Sequence, residues 1–372
     1  MKAVRIHEHG DLDVLRLETL PDPAPGPGQV LIEIKAIGVN HLDTWVRRGV
    51  PGHHFPLPIT PGADAAGVVA ALGAGVTGLA VGDRVAVAPG TSCGRCADCL
   101  SGRDHYCRHY GILGESGDGT DCEFIAVPAA NALPLPEGLG FREAAAVSLV
   151  FLTAWEMLVV KGGVKTGDTV LVHAAGSGVS SAAIQIARHF GARVIASAGS
   201  EAKRERAREL GASEVIDYTQ DDWPREVRAL TGKRGCDLVV DHVGATTFAG
   251  SLRALAGGGR ILCCGASSGP EFTADLRPIF FKNLAIVGST MGSRGSLPLI
   301  YRLVAEGRLR AVIDSVLPLD QVAEARRMLA PARRFGTAEE FGALCAFVCS
   351  AQAGFLTGQN LLIDGGAYPG TY

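Results

Sequence analysis

Four cysteines stand close together in this chain, and their spacing restricts the conformation of the segment that holds them. The pattern is C-x2-C-x2-C-x7-C, and its members are Cys93, Cys96, Cys99 and Cys107. Four thiolates complete a tetrahedral shell around Zn²⁺ and leave no position for water or substrate. The pattern therefore predicts a structural metal site, with any chemistry elsewhere. The alternative is four reduced cysteines without an ion. Packing alone, however, gives little reason for this spacing in a loop.

Length and composition predict a soluble protein of two domains. The chain has 372 residues, more than one core usually supports. Its formal net charge of −3 gives no reason to expect nucleic acid or an anionic membrane as a partner. We find no apolar run of membrane-spanning length and no signal peptide. Because four of the ten cysteines are assigned to metal, we expect a reducing, cytoplasmic location rather than disulfides.

The residue pattern changes at about position 140. Before it, segments that alternate polar and apolar residues, such as 29–39, predict short strands bounded by glycines and prolines. After it, apolar strand-like segments alternate with helical ones, starting with 169–175 and 180–190. This alternation predicts a doubly wound parallel sheet that binds a nucleotide. The predicted fold class is α/β, with a barrel of short strands preceding the parallel sheet.

The first strand of the second half ends in a run of small residues. After His173 the sequence reads Ala-Ala-Gly-Ser-Gly-Val, so Gly176, Ser177, Gly178 and Val179 lead into the next helix. Such a turn lets the backbone approach a pyrophosphate, which binds at the helix N-terminus. The G-x-G-x-x-G pattern is incomplete here, and the position between a strand and a helix carries the prediction. A plain tight turn is the alternative.

The end of the second parallel strand usually decides between NAD and NADP. An acidic residue there would bind the ribose 2′-hydroxyl, and the expected position is occupied by Ala198. Ser200, Lys203 and Arg204 are placed to meet a 2′-phosphate instead, which favours NADP(H) over NAD(H). Glu201 argues against this preference, and the two basic residues could equally be solvated charges of a helix.

Several motifs together resemble the medium-chain dehydrogenase/reductase superfamily of zinc-type alcohol dehydrogenases and quinone oxidoreductases. They are the cysteine segment and residues 38–43 (GVNHLD), 152–155 (LTAW) and 288–292 (GSTMG). The resemblance implies a GroES-like β-barrel catalytic domain and a Rossmann domain. The implied boundaries are 1–135 for the catalytic domain with a zinc lobe at 93–107, 136–298 for the Rossmann domain, and 299–334 for a return to the catalytic domain. It also implies a homodimer or homotetramer that associates near Ala285 to Ser289.

The zinc alcohol dehydrogenases of this superfamily hold a second, catalytic zinc, and the matching ligand positions differ here. They are occupied by Asn40, Ala63 and Leu149, and Leu42 replaces the hydroxyl that relays protons from the metal. Because an open catalytic zinc needs about three protein ligands, the resemblance implies a site without this ion. Asn40 with Asp43 is similar to the zinc-lacking quinone oxidoreductase branch.

The expected function is NAD(P)H-dependent reduction of a quinone or an α,β-unsaturated carbonyl compound. In such substrates the charge of the arriving hydride spreads over the carbonyl, so a Lewis acid is less necessary. One alternative is a zinc-containing alcohol dehydrogenase that interconverts alcohols and aldehydes. Another is a catalytically silent nucleotide-binding protein. The partner in the first two cases is a small-molecule carbonyl substrate or its alcohol.

Individual site residues follow from the resemblance and from the positions of residues at the ends of predicted strands. Asn40 and Asp43 are candidates for contacts to the substrate carbonyl or the nicotinamide ribose, although Asp43 could instead be a helix N-cap. Thr153 is expected to contact the nicotinamide. Tyr218 ends the third predicted strand of the second half. We expect its side chain to lie near the adenosine phosphate, and the alternative is that it packs against other side chains of the fold. Further candidates are Gly244 and Gly265, at strand ends where a side chain would meet the dinucleotide, and His41 and Trp45, as a proton donor and a pocket wall.

The last residues, 335–372, depart from this pattern and resemble the C-terminus of a short-chain dehydrogenase, a different Rossmann family. Thr337 and Glu340 have the spacing of a capping box, which predicts a helix. We hypothesise that residues 360–363 replace the final barrel strand, with a dimer contact as the alternative. The catalytic residues of that second family are absent from the sequence, so the tail adds no second active site.

Overall fold

Two sheets of different kinds organise the part of the chain that the structure describes. The structure, a computed structural model, describes residues 1–220 and 222–327. The helix predicted to begin at Thr337 and the strand predicted at 360–363 lie outside these residues.

The first sheet is antiparallel and belongs to the barrel domain. Its strands run in the order β8-β3-β4-β5-β9, and two strand pairs, β1-β2 and β6-β7, accompany it. In β3, polar and apolar residues alternate, and the apolar residues Val30 and Ile32 are fully buried. The strands are β1 Lys2–Arg5, β2 Arg16–Thr19, β3 Gln29–Gly38, β4 Asp64–Leu72, β5 Arg84–Val87, β6 Gly90–Thr91, β7 Gly111–Ile112, β8 Phe124–Pro128 and β9 Ala132–Pro134.

The second sheet is parallel throughout and has the order β12-β11-β10-β13-β14-β15. Counted along the chain this is 3-2-1-4-5-6, the order of a dinucleotide-binding Rossmann domain. The strands are β10 Thr169–Val172, β11 Arg193–Ser197, β12 Glu214–Ile216, β13 Cys236–Asp241, β14 Leu255–Cys263 and β15 Ala285–Gly288. Since β12 ends at Ile216, Tyr218 lies two residues beyond the strand that it was expected to end.

Helices cover both sheets. They are α1 His41–Arg48, α2 Ala97–Leu100, α3 Phe141–Trp155, α4 Gly178–His189, α5 Glu201–Leu210, α6 Trp223–Leu230, α7 Ala245–Ala254, α8 Leu276–Phe281, α9 Leu297–Ala305 and α10 Val322–Arg327. The expectation that Asp43 caps α1 is wrong, because Asn40 is the N-cap residue. Asp43 is instead the third helical residue, and its carboxylate accepts the backbone N–H of Asn40 at 2.7 Å.

The long helix α3 corrects one reading of the sequence. It continues as a π-helix over Glu156–Lys161, and an 18-residue window of the 21-residue segment has a mean hydropathy of 1.7. Its length and composition would therefore suffice to cross a membrane, contrary to the expectation that no run was long enough. However, 72% of this apolar window is buried inside the fold. The helix is apolar on most sides because it packs between the two domains, next to β4 and α4.

Candidate active site and structural metal site

A cleft of about 1660 Å³ contains most of the residues predicted to bind cofactor or substrate. This exceeds the usual volume of a pocket for one drug-sized ligand, so it has room for an extended ligand and a second molecule. The predicted residues in its wall are Asn40, Thr153, Gly176, Ser177, Gly178, Val179, Lys203, Tyr218 and Gly265. His41 and Trp45 also line it, whereas Asp43, Ser200 and Gly244 do not.

One end of the cleft is formed by side chains from α1, β4 and α3. The side-chain amide of Asn40 donates to Asp64 Oδ2 at 2.9 Å, and the backbone N–H of Leu149 donates to Asp64 Oδ1 at 3.0 Å. Asp64 is 1% exposed. Burial raises its pKa to about 7, against hydrogen bonds from Asn40 and Leu149 that lower it. The sequence analysis did not assign this carboxyl a role, and only its environment distinguishes it from an ordinary aspartate.

Asp43 does not line this cleft. Its Oδ2 atom lies 2.8 Å from Nη1 of Arg326, whose other terminal nitrogen donates to Asp121. All three side chains are at most 2% exposed, and the two carboxylates raise the pKa of Arg326 above its ordinary value against burial, which lowers it. The structure therefore gives Asp43 a structural position that holds α1 against α10. No local pattern in the sequence indicates Arg326, because its partners are more than 200 residues away.

The opposite end of the cleft lies at the turn between β10 and α4. Ser177 is the N-cap of α4, and its Oγ accepts the N–H of Ser180 at 3.1 Å. His242 Nε2 lies 3.0 Å from Ser177 Oγ and 2.8 Å from Ser180 Oγ, and burial lowers its pKa. A neutral His242 thus braces the turn, while Gly178 and Val179, whose N–H groups begin α4, lie in the cleft wall in an arrangement that suits an anion. These small residues fit the pyrophosphate of a dinucleotide.

The steric demands on the glycines of this region differ. A Cβ at Gly176 would lie 3.0 Å from Lys203 Cδ, so the small residue lets α5 reach over the turn. Gly244 is the N-cap of α7 with φ 91°, and its Cβ would lie 2.7 Å from the carbonyl oxygen of Gly269. The close approach at Gly244 is therefore to the backbone of this chain, and a contact of this glycine with a dinucleotide stays a prediction.

The basic residues expected at the adenosine end are not equivalent. Arg204 is held by Glu201 at 2.9 Å and by Asp217 at 2.8 Å, and it also donates to the carbonyl of Ala198. Lys203 lies in the cleft wall and forms no ion pair with the described residues. Tyr218 lies across the cleft edge, where a Cβ on Gly199 would be 3.0 Å from its hydroxyl. Lys203 and Tyr218 are thus available to a ligand, and Arg204 is not.

The four predicted metal ligands converge in space. The sulfur atoms of Cys93, Cys96, Cys99 and Cys107 all lie within 4.8 Å of one another, with 3.5 Å between Cys96 and Cys99. A tetrahedron with Zn–S bonds of 2.3 Å has edges of about 3.8 Å, so the donor set fits Zn²⁺. This is the single cluster of three or more His, Cys, Asp or Glu side chains with metal-binding geometry among residues 1–220 and 222–327.

The zinc lobe, residues 93–107, is attached to the parallel-sheet side of the molecule by long-range contacts. Asp104 accepts a hydrogen bond from Ser293 Oγ at 2.5 Å. His105 Nε2 lies 3.2 Å from Glu156 Oε1, and both side chains are buried. The lobe thereby contacts the π-helix that continues α3. The sequence analysis missed these contacts, which join residues 189 and 51 positions apart.

Three family models match parts of the chain. The alcohol dehydrogenase GroES-like domain model matches residues 26–137, and the zinc-binding dehydrogenase model matches residues 178–306. A model described as enoyl-(acyl carrier protein) reductase matches residues 303–368. The quinone oxidoreductase of Rattus norvegicus is 31% identical over 332 residues, which cover 87% of this chain and 92% of that protein.

The chain belongs to the medium-chain dehydrogenase/reductase superfamily. A solved structure described as an NAD-dependent alcohol dehydrogenase is 54% identical, covers 90% of this chain and 97% of that one, and has a TM-score of 0.86. A mycobacterial quinone oxidoreductase is 32% identical, covers 88% and 96%, and has a TM-score of 0.74. The members of the superfamily similar to this chain thus include both kinds of enzyme.

These findings decide several predictions. The superfamily, the fold class with a GroES-like and a Rossmann domain, and the assignment as an oxidoreductase are confirmed. The zinc-binding dehydrogenase match and the cysteine cluster support a structural zinc. The match over residues 303–368 agrees with the predicted resemblance of the tail to another dehydrogenase family. It begins inside the segment predicted to return to the catalytic domain.

Proposed function

We propose that this oxidoreductase reduces a quinone or an α,β-unsaturated carbonyl compound with NADPH, without a catalytic metal ion. The observation that carries the proposal is the Asn40–Asp64 hydrogen bond of 2.9 Å. It directs both side chains toward each other at a place where superfamily members with a catalytic zinc require soft ligands. Ala63 is fully buried and apolar, and at Leu149 the backbone rather than a side chain reaches this place.

The residues of the chain explain how both ligands would be held. The N-terminus of α4 with Ser177 would bind the pyrophosphate, and Lys203 with Tyr218 would meet the adenosine phosphate. When bound, the nicotinamide supplies a hydride. Thr153 and Asn40 line the cleft between this end and the substrate end. The apolar wall of the cleft, including Leu42 and Val150, excludes water from the reacting atoms.

NADPH is preferred over NADH because Lys203 is the available cation of the adenosine end. An ammonium without a protein partner can neutralise a 2′-phosphate, whereas the ribose hydroxyl of NAD usually meets a carboxylate. Here Ala198, which is 2% exposed, occupies the position where that carboxylate would be expected. The solved structure described as NAD-dependent supports the other choice, so both cofactors belong in the test.

Alcohol dehydrogenation is the second candidate function. It is favoured by the 54% identity to the structure described as an NAD-dependent alcohol dehydrogenase. In that reaction the alcohol first loses its hydroxyl proton, and this superfamily usually stabilises the resulting alkoxide with a catalytic zinc before the hydride is transferred. It would therefore require a second ion in the cleft of this protein, in addition to the one in the zinc lobe.

The two functions are separated by a direct assay of cofactor oxidation. NADPH and NADH are each supplied with a panel of quinones, enones and enals, and NADP⁺ and NAD⁺ with a panel of primary and secondary alcohols. The proposal expects NADPH consumption with the unsaturated carbonyls, unchanged by a brief exposure to chelator. Oxidation of alcohols that the chelator abolishes would establish the second function instead.

We also propose a homodimer that forms through β15. This strand is the last in the described order of the parallel sheet, so one of its sides lacks a partner strand among the described residues. Nearby apolar side chains are exposed, including Leu276, Phe280, Phe281 and Ile286. Light scattering on the protein and on Ile286→Lys tests this, because a charge at the edge should produce monomers. Unchanged mass for the variant would exclude this edge as the interface.

A further inference from the structure

Asp64 is a buried carboxyl group in the wall of the substrate end of the cleft. It begins β4 and is 1% exposed. Its hydrogen-bond donors are two neutral groups, the Asn40 amide at 2.9 Å and the Leu149 N–H at 3.0 Å. None of the described cations forms an ion pair with it. A carboxylate in this environment lacks the compensation that usually keeps a buried acid ionised.

The charged groups on neighbouring elements do not provide that compensation. On α1, Asp43 carries a like charge that raises the pKa of Asp64, and the pKa of His41 is lowered by burial. Arg326 on α10 is occupied by Asp43 and Asp121.

The remaining neighbouring elements among the described residues supply no ion pair to Asp64 either. On α3, Arg142 lines the cleft but is not among the charges that shift the pKa of Asp64, and on β5, Arg84 donates to the carbonyl of Leu139. On α9, the Tyr301 hydroxyl lies 2.8 Å from Ser148 Oγ, and burial raises its pKa, so it stays neutral. On β3, Glu33 and Lys35 pair with each other at the surface. The pKa of Asp64 of about 7, raised mainly by burial, agrees with this setting.

A protonated Asp64 can donate one hydrogen bond through its O–H. Each of its oxygens already accepts a hydrogen bond from the protein, and no described acceptor receives a proton from it. The cleft is therefore the direction in which its O–H can find a partner. We propose that Asp64 is the acid that protonates the carbonyl oxygen of the substrate, an assignment that rests on the proposed function.

The chemistry balances for an enone. The hydride supplied by the bound cofactor forms the new C–H bond at the β-carbon, and the π electrons of the C=C bond shift through to the carbonyl oxygen. The O–H bond of Asp64 breaks as its proton joins that oxygen, which gives an enol that rearranges to the saturated ketone in water. Asp64 then recovers a proton from solvent. Its O–H thereby neutralises the negative charge that develops on the carbonyl oxygen, which is the effect of a Lewis acid in the zinc enzymes.

The first test uses the protein without substrate. Infrared difference spectra across a pH titration should show the band of a protonated carboxyl disappearing near pH 7 in the wild type. The component that titrates near pH 7 should be missing in Asp64→Asn, where any band of Asp121, whose pKa burial raises to about 6, remains. It should be present in the control Glu137→Gln, which removes an exposed carboxylate outside the cleft. A wild-type spectrum without a carboxyl titrating between about pH 6 and 8 would refute the assignment.

The second test follows turnover. With a saturating enone, wild-type kcat should fall as pH rises through about 7, because the acid must be protonated. Asp64→Asn should lose about 10²–10³-fold in kcat and this pH limb, with NADPH binding measured by fluorescence unchanged. Asp64→Glu, which keeps the acid, should retain the pH limb. If Asp64→Asn does not fold, the wild-type pH profile and solvent isotope effect decide in its place.

The outcomes separate the two levels of the proposal. A wild-type protein that turns over no substrate of the enone and quinone panel refutes the proposed function and this assignment with it. A wild type that turns over, with a kcat independent of pH up to 9 or an Asp64→Asn variant of normal rate, refutes the assignment of Asp64 alone.

Discussion

The guanidinium of Arg326 lies 2.8 Å from the carboxylate of Asp43, and neither side chain is more than 2% exposed. Asp43 in turn accepts the backbone N–H of Asn40, whose side chain binds Asp64. A chain of contacts therefore runs from the last described helix to the substrate end of the cleft. Through it, Arg326 positions Asn40 without touching the cleft itself.

Replacing Arg326 tests this connection. Arg326→Met would leave Asp43 and Asp121 buried without a cation, and the free energy of unfolding should fall by about 3–5 kcal/mol. Urea denaturation measures the change. The matched control is Arg277→Met, which removes an exposed pair with Asp275 and should leave the free energy of unfolding nearly unchanged. Equal losses in both variants would show that the buried ion pairs do not form.

The raised pKa of Asp64 predicts how stability depends on pH. The folded state binds this proton more tightly than the unfolded state, with a pKa of about 7 against 3.8. The contribution of Asp64 to stability is therefore full below pH 4. It is lost as the pH rises from about 4 to about 7, by about 4 kcal/mol in total. Asp64→Asn should lack this loss, so its unfolding free energy relative to wild type should increase from pH 4 to pH 8. A constant difference would contradict the assigned pKa. Burial also raises the pKa of Asp121, to about 6, but its contribution is the same in both proteins.

Lys203 is expected to discriminate between the two cofactors. Lys203→Ala should weaken NADPH binding by about 10-fold or more and leave NADH binding nearly unchanged, because a charge-assisted hydrogen bond to the 2′-phosphate is lost. The control Arg206→Ala lies on the same helix and removes an exposed charge paired with Glu209. Fluorescence titration measures each dissociation constant. Equal weakening of both cofactors in Lys203→Ala would place Lys203 at the pyrophosphate instead.

The zinc lobe should support stability rather than chemistry. Cys96→Ser should remove the lobe's ion and lower Tm by several degrees, since Asp104 and His105 hold the lobe to Ser293 and Glu156. The control is Cys263→Ser, which changes a partly buried strand cysteine outside the cluster. Calorimetry with elemental analysis compares the two. A Cys96→Ser variant with unchanged Tm would exclude a structural function of the ion.

Features whose residues lie close together along the chain could be predicted from the sequence, and features that join distant residues could not. The four zinc ligands lie within one short segment, and the small residues after β10 directly precede α4, so local spacing was enough for both. The start of α1 was misplaced because both Asn40 and Asp43 are residues that cap helices. Asp64, Arg326 and the docking of Asp104 depend on partners brought together by folding. Their burial and pairing leave no signature in a single sequence.

The metal content of the active enzyme tests most directly whether the substrate end works without an ion. Zinc per chain should be determined by elemental analysis on protein that turns over an enone with NADPH, for the wild type and for Cys96→Ser. The account predicts one zinc per chain in the wild type and none in the variant, with NADPH turnover of the wild type independent of added zinc. Two zinc ions per active chain, or one that remains in Cys96→Ser and is required for turnover, would contradict it.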